Sequence, residues 1–156
     1  MLIILEGPDG AGKSTVAGEL VKLLGSETEI LHRGPPTSHL LDEYETPLLS
    51  YTPGSGRHIV CDRWHVGEWV YPEVVGRVSQ ADGALWAHIE LFLRAKGAIV
   101  VFMDATVLTL KERLASRGED FINPSHLAPL RRAYAAIKGK SILPAVDSSR
   151  SMQRRK

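Results

Sequence analysis

Five short apolar runs, each separated from the next by a segment with apolar residues three or four positions apart, set the rhythm of this chain. Runs of four to six predict buried strands at Leu2–Glu6, Glu29–His32, His58–Cys61, Ala98–Met103 and Ile142–Val146. The longer spacing predicts helices at Lys13–Leu24, about Leu40–Leu49, within Val66–Val78, at Gly83–Lys96, Val107–Arg117 and Ser125–Lys138. Gly97 reads as the cap that ends one helix before the fourth strand, and Ser125 as the N-cap that starts the last. Thr52–Arg57 (T-P-G-S-G-R) is a loop by composition. Strands alternating with helices predict an α/β fold of three layers, a five-stranded parallel sheet with helices on both faces. No internal repeat or second domain is visible. The expected layout is one domain over 1–147, with a lid at about 111–124, and a basic tail at 148–156 carrying Arg150, Arg154, Arg155 and Lys156.

The join between the first strand and the first helix carries the most specific chemistry. Gly7 to Thr15 reads G-P-D-G-A-G-K-S-T, the spacing G-x-x-x-x-G-K-[ST] in the strand–loop–helix setting its mechanism needs. Gly7, Gly10 and Gly12 let the backbone curl so that successive N–H groups, with Asp9 and Ala11 between them, face phosphate oxygens. Lys13 is placed to reach the β- and γ-phosphates, the Ser14 hydroxyl to ligate Mg²⁺, and the helix from Ser14 and Thr15 to Leu24 to aim its positive end at the same charge. Val16, Leu20, Leu23 and Leu24 form that helix's apolar side. The expected ligand is a nucleoside triphosphate, ATP with Mg²⁺.

Composition narrows what surrounds this loop. A net charge of +1 over 156 residues gives the chain as a whole no reason to favour nucleic acid. The single cysteine, Cys61, excludes an intrachain disulfide or a cysteine zinc cluster. The six histidines show no metal-ligand spacing, so no metal beyond Mg²⁺ is expected. The apolar start is shorter than a leader and runs into the phosphate loop, and no stretch approaches the roughly 20 apolar residues of a membrane span. A cytoplasmic protein without a membrane partner is expected.

Two further clusters bear on transfer chemistry. Asp62 stands at the carboxyl end of the third run, where ligands collect in such sheets, and can hold Mg²⁺ through water or take a proton from an attacking hydroxyl. Arg63 beside it can clamp a phosphate; the bland reading of the pair is a strand-end ion pair or a helix cap. Arg113 and Arg117, four apart, share one helix face and suit a lid that neutralises charge on a moving phosphoryl group; the bland reading is a solvated face. Trp64, Trp69, Tyr71 and Trp86 can stack on a base or fill a core, and Trp86 reads as core. His65 is a proton carrier or simply packed, and Glu68 is a second carboxylate near Asp62 in sequence.

These residues carry a family resemblance. I-L-E-G-P-D-G-A-G-K-S-T is similar to the opening of thymidylate kinases (F-E-G-x-D-G-A-G-K-S-T), Asp62-Arg63-Trp64 resembles their D-R-[YHW] motif, and Phe102 to Tyr134 resembles their strand, lid and following helix. The resemblance implies that Asp9 meets the acceptor's sugar hydroxyl and Arg63 its phosphate, and Arg33 is the position shared with the family's R-E-P-G-G-T-like segment after the second strand. It also implies that the catalytic arginines come from the lid, as Arg113 and Arg117, because Gly10 holds the loop position where one branch keeps an arginine. A homodimer is implied too. The chain departs from the family after the second strand (His32-Arg33-Gly34-Pro35-Pro36-Thr37), in the aromatic stretch Trp64–Tyr71 and in the lid, where Glu119-Asp120-Phe121-Ile122 replaces an Asp-Arg pair. The acceptor pocket, with Trp64, Glu68 and Tyr71 as candidates, is therefore the less secured half. Three functions stay in view: a deoxynucleoside monophosphate kinase acting on dTMP; a kinase for a hydroxyl on a deoxynucleoside or a modified base in DNA, with Asp62 as base; and a nucleotide-binding ATPase module.

Overall fold

The computed structural model describes residues 1–118 and 122–148. Five parallel strands, β1 (Leu2–Glu6), β2 (Glu29–His32), β3 (Ile59–Asp62), β4 (Ala98–Phe102) and β5 (Ala145–Asp147), line up in the order β2-β3-β1-β4-β5. Alternation along β1 divides the interior. Leu2 and Ile4 face a core built with Ile59, Cys61 and Val100, while Ile3 and Leu5 face a second one with Val60. Against the second core lie α1 (Lys13–Leu24) and α5 (Val107–Arg117), through Ala17 and Leu110. Against the first lie α2 (Leu40–Tyr44), α3 (Val66–Val75), α4 (Gly83–Ala95) and α6 (Leu127–Lys138), through Tyr44, Val70, Ile89 and Leu130. This is the expected three-layer α/β arrangement, with both sheet faces covered as an all-parallel sheet requires.

Differences from the sequence expectations have local causes. The last strand begins at Ala145, not Ile142, because Ser141 and the Ile142 N–H are committed to Glu90. The segment expected to be helical to Leu49 breaks after Tyr44 and finishes as a 3₁₀ turn, Thr46–Leu48, around Pro47, which has no N–H to continue the ladder. Asn123, not Ser125, supplies the cap before α6: its side chain accepts the Ser125 N–H at the head of a 3₁₀ turn, Pro124–His126. On α1 the apolar side narrows to Val16, Ala17, Leu20 and Leu24, and Leu23 is 80% exposed. Gly97 does take a left-handed conformation, φ 69°, two residues after the end of α4. No helix among the described residues is long and apolar enough to cross a membrane. Of the expected lid, residues 119–121 lie outside the described residues, as do Arg150, Arg154, Arg155 and Lys156 of the expected tail.

Candidate functional site: a phosphate loop facing an arginine turn

The register of the sheet decides what meets at its carboxyl edge. Leu5 of β1 pairs with Asp62 of β3, and Asp62 with His32 of β2, so the loop after β1 opens beside the Asp62 carboxylate. The loop's shape depends on missing side chains. Gly7 sits at φ 147°, and a Cβ there would lie 2.2 Å from the Met103 carbonyl oxygen; Gly10 and Gly12 sit at φ 80° and 95°. Gly12 is also the N-cap of α1 and no side chain caps that end, which leaves its first N–H groups for an anion. Ala11 is buried and its N–H closes the turn onto the Pro8 carbonyl at 3.2 Å. Thr15 is exposed.

Two polar pairs define the loop's chemistry. Lys13, 5% exposed, donates from Nζ to the Gly7 and Pro8 carbonyls at 2.7 and 2.9 Å. Burial pushes its ammonium down to about 8, against the pull of Glu6 and Asp62. The Ser14 hydroxyl donates to Asp62 Oδ2 at 2.7 Å, while the buried Oδ1 has no hydrogen-bond partner among the described residues. A hydroxyl beside a carboxylate with an unused oxygen is a donor set that suits Mg²⁺.

Across the strand ends the chain turns sharply. Arg63 adopts φ 66°, a left-handed conformation, and its guanidinium pairs with Asp9, while Tyr71 donates to Asp9 Oδ2 at 2.6 Å. The Arg63 guanidinium also lies 5.5 Å from the Tyr71 ring centre. Burial raises the Tyr71 phenol to about 12. Arg33 stacks its guanidinium over the Trp64 ring at 5.3 Å, and its backbone N–H donates to the Asp62 carbonyl at 3.2 Å. The Nε atoms of Arg33 and Arg63 are both buried without a hydrogen-bond partner among the described residues.

The structure draws some sequence candidates together and withdraws others. Trp64 is 2% exposed, its indole N–H donates to the Tyr44 carbonyl at 3.1 Å, and it belongs to the core, so it offers no free face to a base. Glu68 is also buried, and both its oxygens are engaged, by Arg77 at 2.6 and 3.2 Å and by the Ser79 hydroxyl at 2.5 Å. His65 is fully buried against Glu90 at 2.7 Å, which is the packed reading. Trp86 packs on that ring at 5.2 Å. On α5, Arg113 donates to the Gly10 carbonyl at 3.0 Å, so it grips the loop itself; Arg117 on the last turn is exposed and its charge is felt at Lys13.

Glu6 was not singled out by the sequence motifs. It is fully buried, and its Oε1 accepts the N–H groups of Trp64 and Val66 at 2.9 and 3.1 Å, holding the two residues that follow and flank the Arg63 turn. Its Oε2 meets the Tyr134 hydroxyl at 3.4 Å, and the Gly7 backbone amide lies near enough to that hydroxyl to favour its ionised form. Burial raises the Glu6 carboxyl above its usual range, while His65, Lys13 and Arg63 oppose the shift. The available signal was a carboxylate ending an otherwise apolar strand, which needs compensation if buried.

No protein-family model matches the chain. Over 142 residues it is 30% identical to the SPbeta prophage-derived uncharacterized protein YorR of Bacillus subtilis (strain 168), an alignment covering 87% of this chain and 81% of YorR. The crystal structure of YorR in complex with phosphorylated GDP is similar with a TM-score of 0.71, at 26% identity, over 94% of this chain and 84% of that one. Polyphosphate kinase 2 from Arthrobacter aurescens TC1 gives 0.69 at 22% identity over 94% and 59% of the two chains. Deoxyadenosine kinase from M. mycoides with bound dATP gives 0.63 at 20% identity over 94% and 90%. The last two likenesses show a shared fold. The chain belongs to the family of YorR.

Proposed function

We propose that this protein transfers the γ-phosphoryl group of MgATP to the phosphate of a deoxynucleoside monophosphate, with dTMP as the acceptor that the sequence resemblance favours. The observation that carries this reading is the pair Arg33 and Arg63, two guanidinium groups beside the strand ends whose buried Nε donors have no partner among the described residues. A buried donor without a partner costs about 1–3 kcal/mol, and a phosphate is the ligand that repays two at once.

In this reading the loop Gly7–Ser14 cradles the donor's phosphates, and Lys13 leaves the Gly7 and Pro8 carbonyls for the phosphate oxygens. Ser14 and Asp62 hold Mg²⁺, which when bound neutralises charge on the phosphate chain. An oxygen of the acceptor's phosphate bonds to the γ-phosphorus as the bond from that phosphorus to the β–γ bridging oxygen breaks, releasing ADP and a nucleoside diphosphate. The attacking oxygen is already ionised, so no base is required, and catalysis rests on alignment and charge. Asp9 and Tyr71 meet the acceptor's sugar, while Arg117 closes over the transferring group with Arg113 anchoring its helix to the loop.

A second reading, transfer to a hydroxyl of a deoxynucleoside or of a modified base in DNA, draws on the unpartnered Asp62 Oδ1, which can take the proton that such an acceptor must lose. Label from γ-labelled ATP decides between them, offered to the deoxynucleoside monophosphates, GMP, free deoxynucleosides and hydroxymethylated DNA. The guanine acceptors belong in the panel because YorR was crystallised with phosphorylated GDP. A labelled diphosphate supports the first reading, with Arg63→Ala raising acceptor KM; label on a nucleoside or DNA, abolished by Asp62→Asn with binding intact, supports the second. Label released only as free phosphate removes both.

A further inference from the structure

We propose that His32 is a third donor to the divalent cation of the phosphate loop, and that its imidazole nitrogen makes the site bind Mn²⁺ in preference to Mg²⁺. The inference rests on the reading of the loop as a nucleotide site and adds a ligand that the motif does not contain.

Three donors converge at the carboxyl edge of the sheet. Ser14 Oγ lies 2.7 Å from Asp62 Oδ2, and His32 Nδ1 lies 3.5 Å from the same oxygen. Neighbouring ligands of an octahedral ion with bonds of about 2.1 Å stand about 3 Å apart, and the two observed spacings bracket that value. The second carboxylate oxygen is buried and unpartnered, on a side chain only 7% exposed. Strand register fixes this meeting, because His32 is the β2 residue paired with Asp62 at the last step of both strands. The imidazole is 62% exposed, and the contact that places it beside the sheet edge is the one to Asp62.

The Lys13 ammonium interacts with Asp62 as well as with Glu6, and Arg33 follows His32 with its backbone N–H on the Asp62 carbonyl. Asp62 supplies the carboxylate that Ser14 meets, and an imidazole nitrogen donor strengthens the site without adding negative charge. Mg²⁺ prefers oxygen ligands and keeps its waters, whereas imidazole suits transition ions, so a nitrogen donor shifts selectivity towards Mn²⁺. Among the described residues no three of His, Cys, Asp and Glu surround one point. A serine therefore completes this set, and the cation's remaining ligands come from phosphate and water.

The test is Mn²⁺ binding with inorganic tripolyphosphate, which supplies the phosphate chain without base nitrogens, to the wild-type protein and to His32→Gln. Pulsed electron paramagnetic resonance should show imidazole ¹⁴N coupling in the wild type and none in His32→Gln. The substitution should weaken Mn²⁺ about tenfold and leave Mg²⁺ within about twofold. Absence of ¹⁴N coupling in the wild type, its persistence in His32→Gln, or equal weakening of both ions would overturn the inference while leaving the phosphate-loop reading standing. Failure of Mn²⁺ and tripolyphosphate to bind the wild type together would remove both. Because His32 is exposed, the variant should unfold at the wild-type temperature, which makes the comparison clean.

Discussion

The phosphate loop and the Arg63 turn solve the same problem by opposite means. Both put backbone into left-handed conformations at the carboxyl edge of the sheet, where the proposed function has N–H and cationic groups face a ligand. The loop does it with glycines, which adopt positive φ without steric cost, at positions where a Cβ would meet the Met103 or Leu110 carbonyl. The turn does it with an arginine, at a cost of about 1–2 kcal/mol, and is held by a carboxylate 57 residues earlier in the chain, Glu6, through the Trp64 and Val66 N–H groups. One conformation is written locally and the other is imposed from a distance.

The largest expected effects fall on the locally written side. Lys13→Met should lower phosphoryl transfer by about a thousandfold, since it removes a charge placed for the transition state. Its stability carries a definite pH signature. With its folded value near 8, below the unfolded lysine at about 10.4, the folded protein binds fewer protons than the unfolded one across that window. Stability from this group therefore grows as pH rises from about 8 to about 10.4, and Lys13→Met should flatten that rise in urea titrations. Bound phosphates favour the ammonium, so nucleotide binding at pH 9 should take up protons, read by calorimetry in buffers of different ionisation enthalpy. Wild type without uptake, or Lys13→Met with it, would separate the lysine from the phosphates.

Gly7→Ala comes next. The added Cβ would stand 2.2 Å from the Met103 carbonyl oxygen, on backbone that has little room to shift. A loss of about 3 kcal/mol in unfolding free energy is expected, with nucleotide affinity falling alongside. A loss below about 1 kcal/mol would show that the loop yields, and the contrast between a rigid local motif and a supported turn would weaken.

Glu6 probes the other side. Glu6→Ala leaves two buried N–H groups unpaired, which should cost about 2–4 kcal/mol, and it should raise acceptor KM by releasing the Arg63 turn. Glu6→Gln keeps an oxygen for those N–H groups and should recover most of both. Donor affinity is the discriminating readout: it should change little in Glu6→Ala and fall sharply in Gly7→Ala. Equal loss of donor and acceptor binding in Glu6→Ala would mean that its link through Tyr134 to Gly7 matters more than its hold on the turn.

What could be read from the sequence follows the same division. The bounds of β1, β2, α1 and α5, and the loop, all depend on neighbours a few positions away, so period and motif sufficed. The Arg63 turn was invisible because an arginine carries no mark of positive φ, and the role of Glu6 was not legible because its partners lie 58 or more residues away in the chain. Aromatic residues misled for a related reason. A tryptophan beside a motif residue suits either a pocket or a core, and the decision rests on the Tyr44 carbonyl, supplied by α2. The last strand slipped to Ala145 because Glu90 of α4 claims the residues before it.

Trp64→Phe is the smallest effect and the finest cut between the two regions. Phenylalanine keeps most of the ring's contact with the core but loses the indole N–H bond to the Tyr44 carbonyl, a loss of about 1 kcal/mol that leaves one buried carbonyl less satisfied. If the arginine turn is held by Glu6 through the Trp64 backbone, the side chain is dispensable for it, because the N–H that Glu6 accepts is unchanged by the substitution. Stability should then drop by that single bond while acceptor KM stays within about twofold of wild type. The Arg33 guanidinium, stacked on this ring, is the one route by which the side chain could still reach the acceptor. A rise in acceptor KM that Arg33→Lys reproduces and does not deepen would assign the effect to that stack and make the ring part of the acceptor site's support.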